Sequence, residues 1–232
     1  MTLTLLNDDG TASMATCVML SHHGFRRDLK RFESALVAIA RGDTTRRVAV
    51  QEEWQKFHAT LHGHHQAEDT GMFPNLASRN ESVRKTIARL EADHREIDPL
   101  LERGDAAFAD LADPTAALAI ITRLQILLTP HLATEDSELI PFLRDAKSFP
   151  VPPNEEAAAL YAAGFAWALH GVAAQVVERV YALLPESLAA KLPAARSEFA
   201  KRYERAWGPV RSGATFTPIP DFGASAEPRL VA

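Results

Sequence analysis

A single cysteine, Cys17, stands in the 232 residues, so neither an intrachain disulfide nor a cysteine-built zinc or iron–sulfur site can form. A reducing, cytoplasmic compartment is the simple expectation. Aromatic residues reach only 7%, and no stretch alternates apolar and polar residues between turn signals at strand spacing. Alanine and leucine dominate instead, which favours an all-α fold. No run approaches the roughly 20 uninterrupted apolar residues of a membrane span. The first fourteen residues carry Asp8 and Asp9 and lack the basic start and apolar core of a secretory leader, so a soluble protein with no membrane partner is expected. Positive charge is also wanting: 25 basic against 30 acidic residues leave a net charge of -5, which argues against nucleic acid as a partner. Small size is not a constraint, because the chain is long enough to bury a full hydrophobic core without a metal.

What the chain does have is a repeat. Residues 64–76 read His-His-Gln-Ala-Glu-Asp-Thr-Gly-Met-Phe-Pro-Asn-Leu, and residues 131–143 read His-Leu-Ala-Thr-Glu-Asp-Ser-Glu-Leu-Ile-Pro-Phe-Leu. His, Glu-Asp, Pro and Leu recur at the same offsets. On a helix, His-x-x-x-Glu stacks an imidazole and a carboxylate one turn apart on one face. A fainter echo precedes each copy, where His22-x-x-Phe25 and His94-x-x-Ile97 set a histidine on an apolar stripe. A helical pair made twice implies four helices, with six inward-pointing candidates: His22, His64, Glu68, His94, His131 and Glu135.

The helices can be placed in outline. The first spans about residues 11–41 and stops at Gly42. The second is capped by Asp43 or Thr45 and runs to about Met72, where Pro74 ends it. The third starts at Asn80 and reaches about Gly104, with Pro99 kinking or shortening it. Asp113-Pro114 opens the fourth, and Pro130 should kink it beside His131. Pro150, Pro152 and Pro153 form a linker, after which Asn154 caps the first of three further helices, over about 155–169, 172–184 and 194–207. The organisation is therefore a bundle over 11–147, a helical extension over 154–208 and an extended tail over 209–232. Residues 161–180 are apolar nearly all round and need cover from the bundle or from a second copy of the chain, as in a homodimer. His170, outside the repeat, reads as structural.

The second helix offers two registers for a site. Either His64 and Glu68 are the inward pair, or the ligands belong to the neighbouring row of His58, His62 and His65. The match to His131 and Glu135 favours the first, leaving the extra histidines for a supporting role or a solvated face, with His65 alone near enough in angle to be a further ligand. Four histidines and two glutamates on core stripes are costly to bury without compensation, and the stripes hold no lysine or arginine nearby. Metal ions would use the imidazole lone pairs and neutralise the carboxylates together. Carboxylates that can bridge two ions favour a dinuclear iron or manganese centre, and the missing cysteine ligands weigh against structural zinc. The Glu-x-x-His spacing of ferritin-like sites occurs only as Glu91-x-x-His94.

The doubled His-x-x-x-Glu-Asp with its following proline, together with His22-x-x-Phe25 and His94-x-x-Ile97, resembles the hemerythrin-like, or HHE cation-binding, family over about residues 15–145. The C-terminal helices resemble extensions of bacterial members. The resemblance implies an antiparallel up-down four-helix bundle holding an oxo- or hydroxo-bridged di-iron centre. In it Glu68 and Glu135 bridge the irons and His22, His64, His94 and His131 complete the shell. Oxygen, hydrogen peroxide and nitric oxide are the implied small-molecule partners, and catalase-like peroxide decomposition is one implied activity, with no catalytic residue assigned. Animal oxygen carriers of the family use a fifth histidine one turn after the third-helix ligand and an aspartate five residues after the last histidine. Here Asp98 stands at the first position and Glu135 follows His131 by four residues. Fewer nitrogen ligands leave more room for exogenous ligands, so redox turnover, or iron- and oxygen-responsive sensing through a protein partner, stands beside reversible storage.

Overall fold

The computed structural model describes residues 4–208, and among these every regular element is helical. The expected tail over 209–232 lies outside the described residues. By internal packing the chain divides into two compact units. Of the described residues, one takes in Phe25–Leu139 with Arg205–Trp207, and the other 4–24 with Ile140–Glu204 and Gly208.

The unit from Phe25 to Leu139 contains most of α1 (Met14–Ala40), then α2 (Arg47–Ala67), α3 (Phe73–Arg79), α4 (Arg84–Ala109) and α5 (Thr115–Glu138). Side-chain pairs give the directions. On α1 and α2, Phe25 meets His64 and Phe32 meets Trp54, so the numbers run oppositely. On α2 and α4, His58 bonds Asp105 and His65 bonds Asp98. On α4 and α5, Thr86 bonds Glu138 and Arg89 bonds Thr134. On α1 and α5, Arg26 pairs with Asp136 and Gln125 bonds Glu33. Each helix is antiparallel to both neighbours, which is an up-down four-helix bundle.

Its core is made by the stripes read from sequence, with Phe25, Leu29, Phe32 and Leu36 of α1 and Ile87, Leu90, His94, Ile97 and Leu101 of α4 all buried. Away from the histidines the core is aromatic. Trp54 stacks on Phe108 with centroids 4.3 Å apart, and Phe32 meets the edges of both. Gly104 allows this, since a Cβ there would fall 2.0 Å from Trp54 Cζ2.

Several boundaries depart from expectation. Gly42 ends α1 as foreseen, at φ 106° with its N–H on Ile39 O. Neither Asp43 nor Thr45 caps α2: Asp43 Oδ1 takes the Thr45 N–H at 3.1 Å in the preceding turn, and the helix starts at Arg47. Pro74 does not end the second helix. The chain widens into one π-helical turn over Glu68–Met72 and resumes as α3, where Pro74 sits in the first turn. The first turn of a helical segment is where a proline is tolerated. Pro99 does not shorten α4, which continues past Gly104 to Ala109 where Trp54 packs on it. Likewise α5 runs through Pro130 to Glu138. Among the described residues α5 is also the one helix long and apolar enough to cross a membrane, with a stretch of mean hydropathy 1.4. Its buried residues, from Ala117 to Asp136, make the inward face of the bundle.

The other unit carries α6 (Glu155–Ala168), α7 (Ala174–Leu183), α8 (Glu186–Ala189) and the body of α9 (Leu192–Trp207). Asn154 caps α6 by accepting the Ala157 N–H at 2.8 Å. Ala15 and Met19 of α1 pack on Ile140, and the Phe149 N–H is held by Leu183 O at 3.1 Å. His170 lies against Tyr203 and Phe199, with centroids 4.4 and 5.2 Å away.

Candidate metal centre

Helix periodicity delivers the repeat to the bundle interior. His64 Nε2 is 3.0 Å from Glu68 Oε1 on α2 and its π turn, and His131 Nε2 is 3.6 Å from Glu135 Oε2 on α5. His94 of α4 closes the group, 3.6 Å from Glu68 Oε2. One donor atom from each of Glu68, His94, His131 and Glu135 can be chosen so that all lie within 4.8 Å of one another, and all four residues are buried. Of the six candidates, the structure thus gathers His64, Glu68, His94, His131 and Glu135 in one unit. His22 is fully buried on α1, one turn before Phe25, whose ring centroid is 5.1 Å from that of His64.

The imidazoles are aimed by carboxylates behind them. His94 Nδ1 donates to Asp69 Oδ1 at 2.9 Å, and His131 Nδ1 lies 3.3 Å from Asp93 Oδ2. With Nδ1 carrying the proton toward an aspartate, each Nε2 presents a lone pair inward, the arrangement by which a carboxylate fixes the tautomer of a metal-binding histidine. The two Nε2 atoms face one another at 3.3 Å. Two lone pairs at that distance repel unless a proton or a cation lies between them.

The electrostatics point the same way. Burial pushes the Glu68 carboxyl well above the ordinary carboxylate range; the neighbouring Glu135 carboxyl works to lower it and the Asp69 charge to raise it. Burial drives His64 down to about 3, assisted by His94 and opposed by Asp136. A neutral His64 imidazole against a Glu68 carboxyl that resists ionisation belongs to a donor set that fits a hard or borderline cation. The stripes themselves hold no basic residue near the ligands, but Arg26, off the stripe, reaches across from α1 to Asp136, beside Glu135, at 2.8 Å. It takes the second carboxylate of the Glu-Asp pair.

The second row of α2 faces α4. His58 Nδ1 bonds Asp105 at 2.9 Å, His62 Nδ1 bonds Asp98 Oδ2 at 3.2 Å, and His65 Nδ1 bonds Asp98 Oδ1 at 2.7 Å. His58 and His62 keep 21% and 43% of their side-chain surface, whereas His65 keeps 1%. Sequence reasoning missed Asp93 and the role of Asp69, both one residue from a core position, and a polar residue adjacent to each histidine stripe was the only signal for them.

The profile of the hemerythrin HHE cation binding domain matches residues 16–143. The chain belongs to this family. No curated protein and no solved structure is significantly similar to it. The domain's cation-binding character and the clusters of His and Glu in the bundle agree. The match ends at the last residue of the second repeat, Leu143, so the helices from α6 onward lie beyond it.

Proposed function

We propose that this hemerythrin-like protein holds two iron ions through His22, His64, Glu68, His94, His131 and Glu135, and that oxygen, hydrogen peroxide or nitric oxide reacts there. The observation that carries this reading is the meeting of Glu68, His94, His131 and Glu135 within 4.8 Å, all buried. Iron, when bound, supplies reversible electron exchange and a Lewis-acidic position for a small ligand. Manganese suits the same donors, and zinc less well without thiolates.

The chain's own residues have separable tasks. Glu68 and Glu135 bring negative charge into an apolar interior, where only a cation compensates it fully. Asp69 and Asp93 hold His94 and His131 with Nε2 inward. Phe25 and Phe73 wall the centre against His64 and His94, with centroids 5.1 and 5.7 Å away, and exclude bulk water. A second reading, sensing without turnover through a protein partner, rests on the raised Glu68 carboxyl, which makes the metal-free bundle the less stable state. A cytoplasmic location accords with the lone, buried Cys17.

The test is metal content per chain and the optical spectrum before and after hydrogen peroxide, for wild type and for the His131→Ala, Glu135→Ala double variant. Two irons, near-ultraviolet bridged-iron absorption and peroxide-driven oxygen release, all lost in the variant, support the reading. Two irons with no turnover select sensing or storage. A folded protein that takes up no iron refutes both.

A further inference from the structure

Three imidazoles, not two, converge beside the carboxylate pair. His65 stacks on His94 with ring centroids 4.1 Å apart and an interplanar angle of 15°, and its centroid is 5.8 Å from that of His131. Donor nitrogens of His65, His94 and His131 lie within 4.8 Å of one another, and all three residues are buried. The Nδ1 of His65 is committed to Asp98 Oδ1 at 2.7 Å. Its Nε2 is sealed from solvent and has no hydrogen-bond partner. A buried polar nitrogen left without a partner is costly and rare, so this lone pair calls for a hydrogen-bond donor or a cation, and the described residues provide no donor.

We propose that His65 is a seventh ligand, completing a face of three imidazoles with His94 and His131 on one of the two metal ions, and that Asp98 is its positioning residue. This rests on the metal-binding reading above. His94 and His131 also belong to the cluster with Glu68 and Glu135, so an ion held by the three imidazoles would lie beside the carboxylate pair. The third imidazole comes from α2, and α4, at Asp98, supplies the carboxylate that aims it. All three histidines then share one construction, with Nδ1 on a half-exposed aspartate (Asp98, Asp69 or Asp93) and Nε2 directed inward. The other histidines of the row are excluded by the same criterion. Both nitrogens of His62 are occupied, Nδ1 by Asp98 and Nε2 by Gln66 at 2.9 Å, and His58 stands two turns further from His65 along α2.

The experiment is stepwise cobalt(II) and iron(II) titration of the full chain, followed by metal analysis, the cobalt visible spectrum and the imidazole shell in X-ray absorption. Wild type, His65→Gly, Asp98→Asn and His62→Ala are compared. His65→Gly is expected to weaken one of the two ions by tenfold or more and to alter the cobalt spectrum, with added free imidazole restoring it. Asp98→Asn leaves every ring in place and should weaken the same ion about 10–100-fold, which carries the test if His65→Gly fails to fold. His62→Ala should bind as wild type does. Two ions held by His65→Gly and Asp98→Asn with wild-type affinities and spectrum would overturn the assignment while leaving the metal centre standing. A wild-type chain that takes no metal would remove the centre itself.

Discussion

Replacing Gly104 by alanine should destabilise the bundle, against the usual sign for a glycine in a helix interior. Alanine is favoured there by about 1 kcal/mol. At this position, however, the new Cβ would meet Trp54 Cζ2 at 2.0 Å, Cη2 at 2.6 Å and Cε2 at 2.9 Å, where carbon atoms prefer about 3.5–4.0 Å. The ring must retreat by more than 1 Å, roughly, to restore that spacing, and it has nowhere to go. It is fully buried, stacked on Phe108 at 4.3 Å and hydrogen-bonded through Nε1 to Asp105 at 2.8 Å. Overpacking costs about 1–3 kcal/mol, weakening the aromatic pair about 0.5–1.5, and loosening the buried N–H about 1 or more. Set against the helix gain, the net loss is about 2–4 kcal/mol. Gly63 on α2 is the control, because a Cβ there meets nothing within 4 Å, so Gly63→Ala should gain up to about 1 kcal/mol. Urea unfolding of the metal-free chains, followed by tryptophan fluorescence and circular dichroism, measures both. The same substitution presses α2 away from α4, across which His58, His62 and His65 bond Asp105 and Asp98, so metal affinity should fall as well. A Gly104→Ala chain as stable as Gly63→Ala would refute the packing argument.

In the metal-free protein, two buried imidazoles should make stability fall as pH drops below about 6.5. Burial lowers His64 to about 3, and lowers His65 to about 4 against the opposing pull of its Asp98 bond, whereas both titrate near 6.5 when unfolded. The unfolded chain therefore binds two more protons on these rings as pH falls below 6.5. Glu68 has the opposite sign: raised by burial, it keeps its proton in the folded state above the unfolded value of about 4.3. The two rings alone would make stability rise with pH by at most about 2.7 kcal/mol per unit up to 6.5, and Glu68 opposes them, so the observed rise should be shallower. Denaturant midpoints measured from pH 4.5 to 8.5 test this, and a midpoint that falls as pH rises from 4.5 to 6.5 would contradict it. Glu68→Gln should remove the opposing contribution and steepen the rise, while metal uptake measured on the same sample drops. A variant that keeps the wild-type slope would show that the carboxylate is not the strained group.

The bundle was legible because its signal is long-ranged in sequence and simple in geometry. Two His-x-x-x-Glu copies and their apolar stripes fix which faces point inward, and those faces are buried as read. Asn154 as a cap and Gly42 as a stop follow from local backbone chemistry, and both hold. What escaped depends on neighbours that only the folded chain supplies. Gly104 reads as a helix end by propensity, yet it is a notch for Trp54, fifty residues away. Asp69, Asp93 and Asp98 look like ordinary surface acids, and their half-exposed carboxylates bear that out until the histidines behind them are seen. Arg26 falls off the histidine stripe and still reaches Asp136, because a long side chain covers a distance that stripe geometry does not count.

The π turn at Glu68–Met72 amounts to one surplus residue in a helix that would otherwise run unbroken from Arg47 to Arg79. An α-helix turns about 100° per residue, so that surplus shifts the phase of everything after it relative to everything before. Upstream, the phase suits the histidine rows of α2; downstream, it turns Phe73 and Leu76 into the core. The repeat's second copy has the same Glu, Asp, Pro and Leu offsets but no such turn, and its helix ends at Glu138. Two strings with the same ligands at the same offsets thus differ in arithmetic more than in chemistry. Removing Thr70 or Gly71 would keep every ligand and every apolar residue, and still point one half of the helix the wrong way.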